Sequence, residues 1–214
     1  MPQEGDAGRR AALDALRSAV LAGDVSPGQR LVEAELAGTF GVTRASVRAA
    51  LIDLAAEGLV ERIPNRGARV RVVTVEEAVA ITECRMVLEG LCAAKAAEKA
   101  TEDDLAALEE LGERMRDAVS DGEPMKYSTL NRELHRMIRE LAAQPVAAEL
   151  LERLHGQLVR HQFRLALRSG RPHVSLGQHL AIIDAVRARD PQAAEAAARA
   201  HLTSVIAALQ ESPD

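Results

Sequence analysis

The sequence predicts a mainly α protein in two parts. A small N-terminal domain of short helices is closed by one β-hairpin, and a larger antiparallel all-α bundle follows. Three observations predict this. Apolar residues recur at helical spacing through most of the chain. Only one stretch, around residue 65, alternates with period two. Pro and Gly punctuate the second part at short intervals, at Asp121-Gly122, Pro145, Gly170-Pro172 and Pro191.

Bulk properties narrow the function classes. The chain has 214 residues, enough for one large domain or two small ones, each with a hydrophobic core. It is 47% hydrophobic and 28% charged, the balance of an ordinary soluble protein. Aromatics are 1%, which excludes base stacking on single-stranded nucleic acid as a main mechanism. No apolar run reaches the roughly 18 residues of a membrane span, and MPQEGDAGRR has no signal-peptide core. A cytoplasmic protein without a membrane partner is expected. Cys84 and Cys92, on one helix, stand about 12 Å apart, too far for a disulfide within the chain.

In the first part, residues 9–22 read as a helix, with Leu13, Leu16, Val20 and Leu21 at helical spacing and Gly23 ending it. Pro27-Gly28 is a turn. A second helix runs from about Glu33 to Phe40, and Gly41-Val42 makes a tight turn. Thr43 then caps a third helix with the stripe Val47, Leu51, Leu54, stopped by Gly58. Two short helices joined by a three-residue turn containing Gly form a helix-turn-helix signal. LVERI and ARVRV, separated by PNRG, read as a hairpin placed directly after it. Together they make a winged helix.

The stretch TRASVRAAL raises the functional question. Arg44 and Arg48 fall in the first two turns of the third helix, the end that enters the major groove in this motif. There an arginine can pair with guanine O6 and N7 or clamp a phosphate. The hairpin tip carries Arg66, and Arg69 and Arg71 share one face of its second strand. The net charge is −5 overall. Residues 1–74 hold 10 Lys/Arg against 9 Asp/Glu, hence +1; residues 75–214 hold 17 against 23, hence −6. Arg62, Arg66, Arg69 and Arg71 fall within ten residues, and local placement governs phosphate affinity.

Everything after Val73-Thr74-Val75 is helical by pattern. The spans are 76–100, 101–122 with a Thr cap and an acidic first turn, 126–144, a fourth over 145–170, 173–190 and 191–210. Short connections make neighbours antiparallel. His179 and His201 flank the Asp190-Pro191 turn at matching height, about 16 Å from it, so they can meet across the bundle as metal ligands. Height alone does not decide, because His135 and His155, or His161 and His179, match equally well. Asn131 and His135 share a helix face. His161 lies on the stripe Leu151, Leu154, Leu158, Leu165, and reads equally as pocket wall or plain core. His155 and His173 read as structural.

Residues 10–74 resemble the winged-helix domain of GntR-type transcription regulators, through PGQRL, ELA, VTRASVR, LAAEGLV and PNRGARV in that order. The resemblance implies DNA contact by Arg30, Arg44, Ser46 and Arg48 and by the wing around Arg66 and Gly67. Ala49 stands where the family often has Glu, and Ala45-Ser46 where it often has Pro, which bears on the preferred operator. The helical half is similar to the FCD ligand-binding domain of the FadR subgroup, through CRMVLEGLCA, NRELH, QHLAIIDAV and RDPQAAEAAARAHL. That implies a divalent metal held by His135, His179 and His201. The family's usual fourth ligand is an Asp; here it is Asn131, whose amide oxygen coordinates without bringing charge, which favours Zn²⁺ or Ni²⁺ over harder cations.

Such domains bind a small carboxylate effector. Arg85 lies in the helix the family uses for effector contact, and an ion pair with Glu89 is the competing role. Tyr127, Arg132 and Arg164 are weaker candidates. The leading expectation is a homodimeric repressor on a palindromic double-stranded operator, with domains 1–74 and 75–214. Two others compete with it: a purely structural metal in a helical module, and a metalloenzyme. The last is disfavoured by the lack of HExxH or a placed general base.

Overall fold

The structure, a computed structural model, describes residues 5–63 and 67–211, Ala22 by its backbone only. The chain divides into two compact units, Met1–Val73 with His155–Arg160, and Thr74–Leu154 with His161–Asp214. Each is described in turn.

The first unit contains α1 (Gly5–Ala22), β1 (Arg30–Leu31), α2 (Glu33–Phe40), α3 (Arg44–Ala56), β2 (Val60–Ile63) and β3 (Gly67–Val70). The strands form an antiparallel sheet in the order β1-β3-β2, with Val60 opposite Val70 and Arg30 opposite Arg69. The hairpin and the three helices follow the sequence expectation. Strand β1 does not, since the segment after Pro27-Gly28 carries no period-two signal in two residues. Its pairing comes from Gly67. That residue adopts φ 85°, and a Cβ there would meet the Leu31 carbonyl oxygen at 2.6 Å. Only glycine lets the two strands approach this closely. Leu16, Leu31, Val47, Leu54, Val60 and Val70 are central to a core that α1, α3 and the sheet share. Around it, Arg9 grips Asp53 through two 2.7 Å bonds.

The rest of the chain is all helix: α4 (Val75–Lys99), α5 (Glu102–Ser120), α6 (Pro124–Ala142), α7 (Pro145–Gln157), α8 (Val159–Ala166), α9 (Arg171–Arg187) and α10 (Pro191–Gln210), and it forms the second unit apart from His155–Arg160, the end of α7 and the start of α8. Caps mark the starts. Thr74 accepts from the Glu77 N–H, Thr101 and Asp104 form a capping box, and Asp190 caps α10 ahead of Pro191. Helix α4 is the spine, packing on α6, α9 and α10. Small residues set its approach to α10: Gly90 faces Glu195 and Arg199 of that helix, and a Cβ there would lie 3.1 Å from Glu195 Cγ. Leu108, Leu111, Met115, Leu134, Ile183 and Val186 fill the centre.

One expectation fails here. The single helix over 145–170 is two, α7 and α8, broken at Leu158, whose N–H bonds to the His155 carbonyl at 3.0 Å. The break falls beside Gly156, a poor helix former. It also falls where residues 155–160 join the first unit: Gln157 donates to the Glu57 carbonyl at 3.1 Å and accepts from Arg71 at 3.2 Å. Tertiary bonds there outcompete helical continuity. None of the described helices is long and apolar enough to cross a membrane.

Candidate metal centre and nucleic-acid interface

The polar face of the first unit is built on the turn between α2 and α3. Gly41 ends α2 in the left-handed conformation, φ 65°. Thr43 then starts α3: its hydroxyl accepts from the Ser46 N–H at 3.1 Å and lies 3.0 Å from the Ser46 hydroxyl. This cap aims the first turns of α3 outward. Arg44 and Arg48 are both exposed there, one turn apart. Ser46 does not join them. It is 4% exposed, and its hydroxyl faces Thr43.

Arg48 bonds Glu33 of α2 at 2.7 and 3.0 Å. That bond holds the Glu33 carboxyl below its ordinary range, with the Arg62 and Arg44 charges adding to it. The pair is solvent-exposed, so a phosphate can displace the carboxylate at little cost. Arg30, Glu33, Arg44, Arg48, Arg62 and Gly67 line one concavity of about 420 Å³. Four guanidiniums against one carboxylate make it an anion-attracting surface. Arg62 was visible in the sequence only as one of a cluster. Of the others, Arg69 pairs across the strands with Glu61 at 2.6 Å, and Arg71 bonds Gln157. Arg66 lies outside the described residues.

In the second unit, α6, α9 and α10 bring His135, His179 and His201 together. One nitrogen from each lies within 4.8 Å of the others. The ring centroids of His179 and His201 are 4.3 Å apart, and His135 sits 5.4 and 5.5 Å from them. Each ring is held from behind through Nδ1. That of His135 lies 3.0 Å from Glu89 Oε2, that of His179 lies 2.8 Å from Tyr127 Oη, and that of His201 lies 3.0 Å from Gln178 Oε1. Outer partners of this kind fix the tautomer and turn Nε2 inward.

The donor set suits a divalent ion on three counts. Nε2 of His179 and Nε2 of His201 face each other at 3.3 Å. With Nδ1–H donating outward, two lone pairs meet there, and a cation relieves the repulsion. Burial, helped by the neighbouring rings, holds both imidazoles well below their usual pKa, so they stay neutral and able to ligate. Finally, the buried Asn131 Oδ1, one turn before His135, has no hydrogen-bond partner. An orphaned amide oxygen costs about 1–3 kcal/mol, and coordination satisfies it.

The two sequence candidates for effector contact lie differently. Arg85 is 4% exposed and bonds Glu89 through Nε at 2.9 Å and Nη2 at 2.8 Å. Glu89 in turn braces His135, so Arg85 supports the centre from behind. His161 is buried on α8 and is not one of the three clustered histidines. Gln178 carries no signal of its own in the sequence, and Glu89 is expected there only as a partner for Arg85. A signal was present in the spacing. Tyr127, Asn131 and His135 recur every fourth residue on α6, as do Arg171, Ser175 and His179 on α9, so each set shares a helix face.

Comparison with known proteins matches these two halves. Residues 9–70 match the family described as bacterial regulatory proteins, gntR family, and residues 80–204 match the FCD domain. The chain is 28% identical over 187 residues to the HTH-type transcriptional repressor RspR of Escherichia coli (strain K12), covering 87% of this chain and 82% of that protein. It is 31% identical over 197 residues to the HTH-type transcriptional repressor NanR of Salmonella newport (strain SL254), covering 82% of this chain and 74% of that one. Among solved structures, a putative transcriptional regulator GntR from Rhodococcus sp. RHA1 superposes with a TM-score of 0.77 at 27% identity, covering 98% of this chain and 100% of its own. E. coli McbR/YncC shares the fold with a TM-score of 0.79 at 24% identity, over 95% and 97% of the two chains. An arginine-lined helix-turn-helix with its wing, joined to an all-helical domain of this match, places the chain in the GntR family of bacterial regulatory proteins, with an FCD domain as its helical half and a regulatory rather than an enzymatic role.

Proposed function

We propose that this protein is a transcriptional repressor that binds a palindromic DNA operator as a homodimer, and that a small carboxylate bound at a metal centre in the FCD domain sets its operator affinity. The observation that carries the reading is the convergence of His135, His179 and His201 within 4.8 Å, in a chain whose other unit presents the arginine concavity. The names of its relatives support repression.

In this reading Arg44 and Arg48 donate to base edges and phosphates, and the Thr43 cap fixes their direction. Arg30 and Arg62 face the backbone beside them. His135, His179, His201 and Asn131 hold the ion, Zn²⁺ or Ni²⁺ by ligand type, while Glu89, Tyr127 and Gln178 orient the rings. A bound ion supplies a positive point for a carboxylate oxygen. The link between the units is a coupling free energy of about 1–3 kcal/mol.

The test is a selection of DNA bound by the purified zinc-loaded protein, with Arg44→Ala/Arg48→Ala as control, followed by titration of organic acids against the selected site. A short palindrome lost in the control, and released by one acid, is the expected result. A palindrome whose affinity no acid alters would assign the ion a purely structural role. Enrichment of no sequence over the control, with and without zinc, would sink the DNA-binding assignment for this chain.

A further inference from the structure

Arg171 opens α9, eight residues before His179 on the same face of the helix. Its Nη1 donates to the Ser204 hydroxyl at 2.8 Å and to the Ser204 carbonyl at 3.3 Å, one turn beyond His201 on α10. Its Nη2 is buried and has no hydrogen-bond partner. Two turns of α9, about 12 Å along its axis, separate Arg171 from His179, and its bond to Ser204 ties it to the turn of α10 that follows His201. A buried guanidinium nitrogen without an acceptor carries an unmet desolvation cost, larger than that of a neutral donor.

The other arginine acting on these rings is spent. Arg85 is fully engaged by Glu89, and that carboxylate also takes His135. Arg171 makes no ion pair among the described residues: the carboxylate whose charge reaches it, Glu211, is held by Arg168 at 2.8 Å. An ion held by three neutral imidazoles and a neutral amide would keep its full charge as well. The second unit thus presents two separate positive points, the metal centre and Arg171, and Arg171 keeps a buried nitrogen with no acceptor.

We propose that Arg171 is the second anchor of the effector, and that the effector is a dicarboxylate, with one carboxylate at the histidine centre and the other on Nη2 of Arg171. Ser175, one turn from Arg171 on α9, and Tyr127, whose hydroxyl meets His179 Nδ1 at 2.8 Å, are positioned to contact the linking chain. This rests on the effector reading given above. It also moves the anchoring arginine from α4, where Arg85 is internally neutralised, to the start of α9.

The test is calorimetric titration of the zinc-loaded protein with α,ω-dicarboxylates from malonate to adipate, each against the monocarboxylate of equal chain length. The wild type should bind at least one dicarboxylate about tenfold more tightly than its matched monocarboxylate, the factor expected of one charge-assisted pair. Arg171→Met should bring that pair within about threefold while zinc affinity, read by competition with a chromophoric chelator, stays unchanged. Arg171→Lys keeps the charge without the planar fork and should retain part of the preference; it serves where the Met variant does not fold. Equal binding of both acid classes by the wild type overturns the proposal. So does a preference that survives Arg171→Met, or a loss of zinc and of both acid classes together, which would make Arg171 a packing residue. Absence of binding by every acid, with zinc bound, would instead remove the effector reading on which the proposal rests.

Discussion

The two candidate sites use charged side chains in opposite ways. In the first, arginines lie on the surface and meet carboxylates in water, as Arg48 meets Glu33 and Arg69 meets Glu61. Such pairs are weak and exchangeable, which suits a face that must trade a carboxylate for a phosphate. In the second, Arg85 and Glu89 are buried at 4% and 8% side-chain exposure, and each has a fixed role behind the histidines. Buried groups of this kind cannot exchange, because losing one partner strands the other. The first arrangement recognises a large ligand from outside. The second holds a small one within.

The comparison predicts that loss of the surface arginines costs binding and spares stability, whereas loss of the buried histidine cluster costs both. The largest effect should come from Arg44→Ala/Arg48→Ala. Two lost groove contacts at about 1–3 kcal/mol each lower affinity for the selected DNA by roughly 30-fold to 2×10⁴-fold. The thermal midpoint should barely move, because both side chains are exposed. Fluorescence anisotropy and calorimetry on the same samples would show it. A large fall in midpoint would mean that these arginines also hold the fold.

Next comes His179→Ala. This side chain is 0% exposed and partners Tyr127 and His201. Its loss leaves a cavity and a buried hydroxyl without its partner, for about 2–4 kcal/mol of stability. Bound zinc, measured by elemental analysis, should fall from one per chain to background.

Acid should separate the units without any mutation. Burial holds His179 and His201 well below the ordinary histidine range. Between their folded values and about pH 6.5, the unfolded chain binds protons that the folded one does not, so stability falls as pH drops through that window. For metal-stripped protein the slope approaches about 1.4 kcal/mol per pH unit for each ring. The carboxylates of the first unit, Glu33 and Asp53, are held low by arginines. Their contribution is present above about pH 4 and is lost only below it. Hydrogen exchange at pH 7.5 and pH 5.5 should therefore show loosening in α9 and α10, with α3 unchanged. The smallest effect is that of Thr43→Ala, which removes the α3 cap for about 1 kcal/mol, with a proportionate loss of DNA affinity as the first turn frays.

The same contrast explains what the sequence could tell. The helix-turn-helix was legible because local signals specify it: the Thr43 cap, the Gly41 turn and the stripe Val47, Leu51, Leu54 lie within a few residues of each other. The histidine centre was legible only in part. Matching heights allowed three pairings of histidines, since height follows from counting residues to a turn. Which pair meets depends on how each helix is rotated about its axis, and that follows from packing across the bundle. The resemblance supplied His135, and the fold places it with the other two. Glu89, Gln178 and Arg171 act across helices, where no local pattern records the partner. The break at Leu158 is a similar case, because bonds from Gln157 to Glu57 and Arg71 span about a hundred positions of sequence.

Gly67 shows how such distant constraints surface in genetics. It offers no side chain to any ligand, yet it alone permits β1 to lie against β3, and β1 carries Arg30. In a saturation scan scored by promoter output, position 67 would behave like a contact residue, intolerant of every replacement. A reader of that scan would assign it to the DNA. The intolerance would belong to the spacing between two arginines, set by a hydrogen atom where every other residue has a carbon.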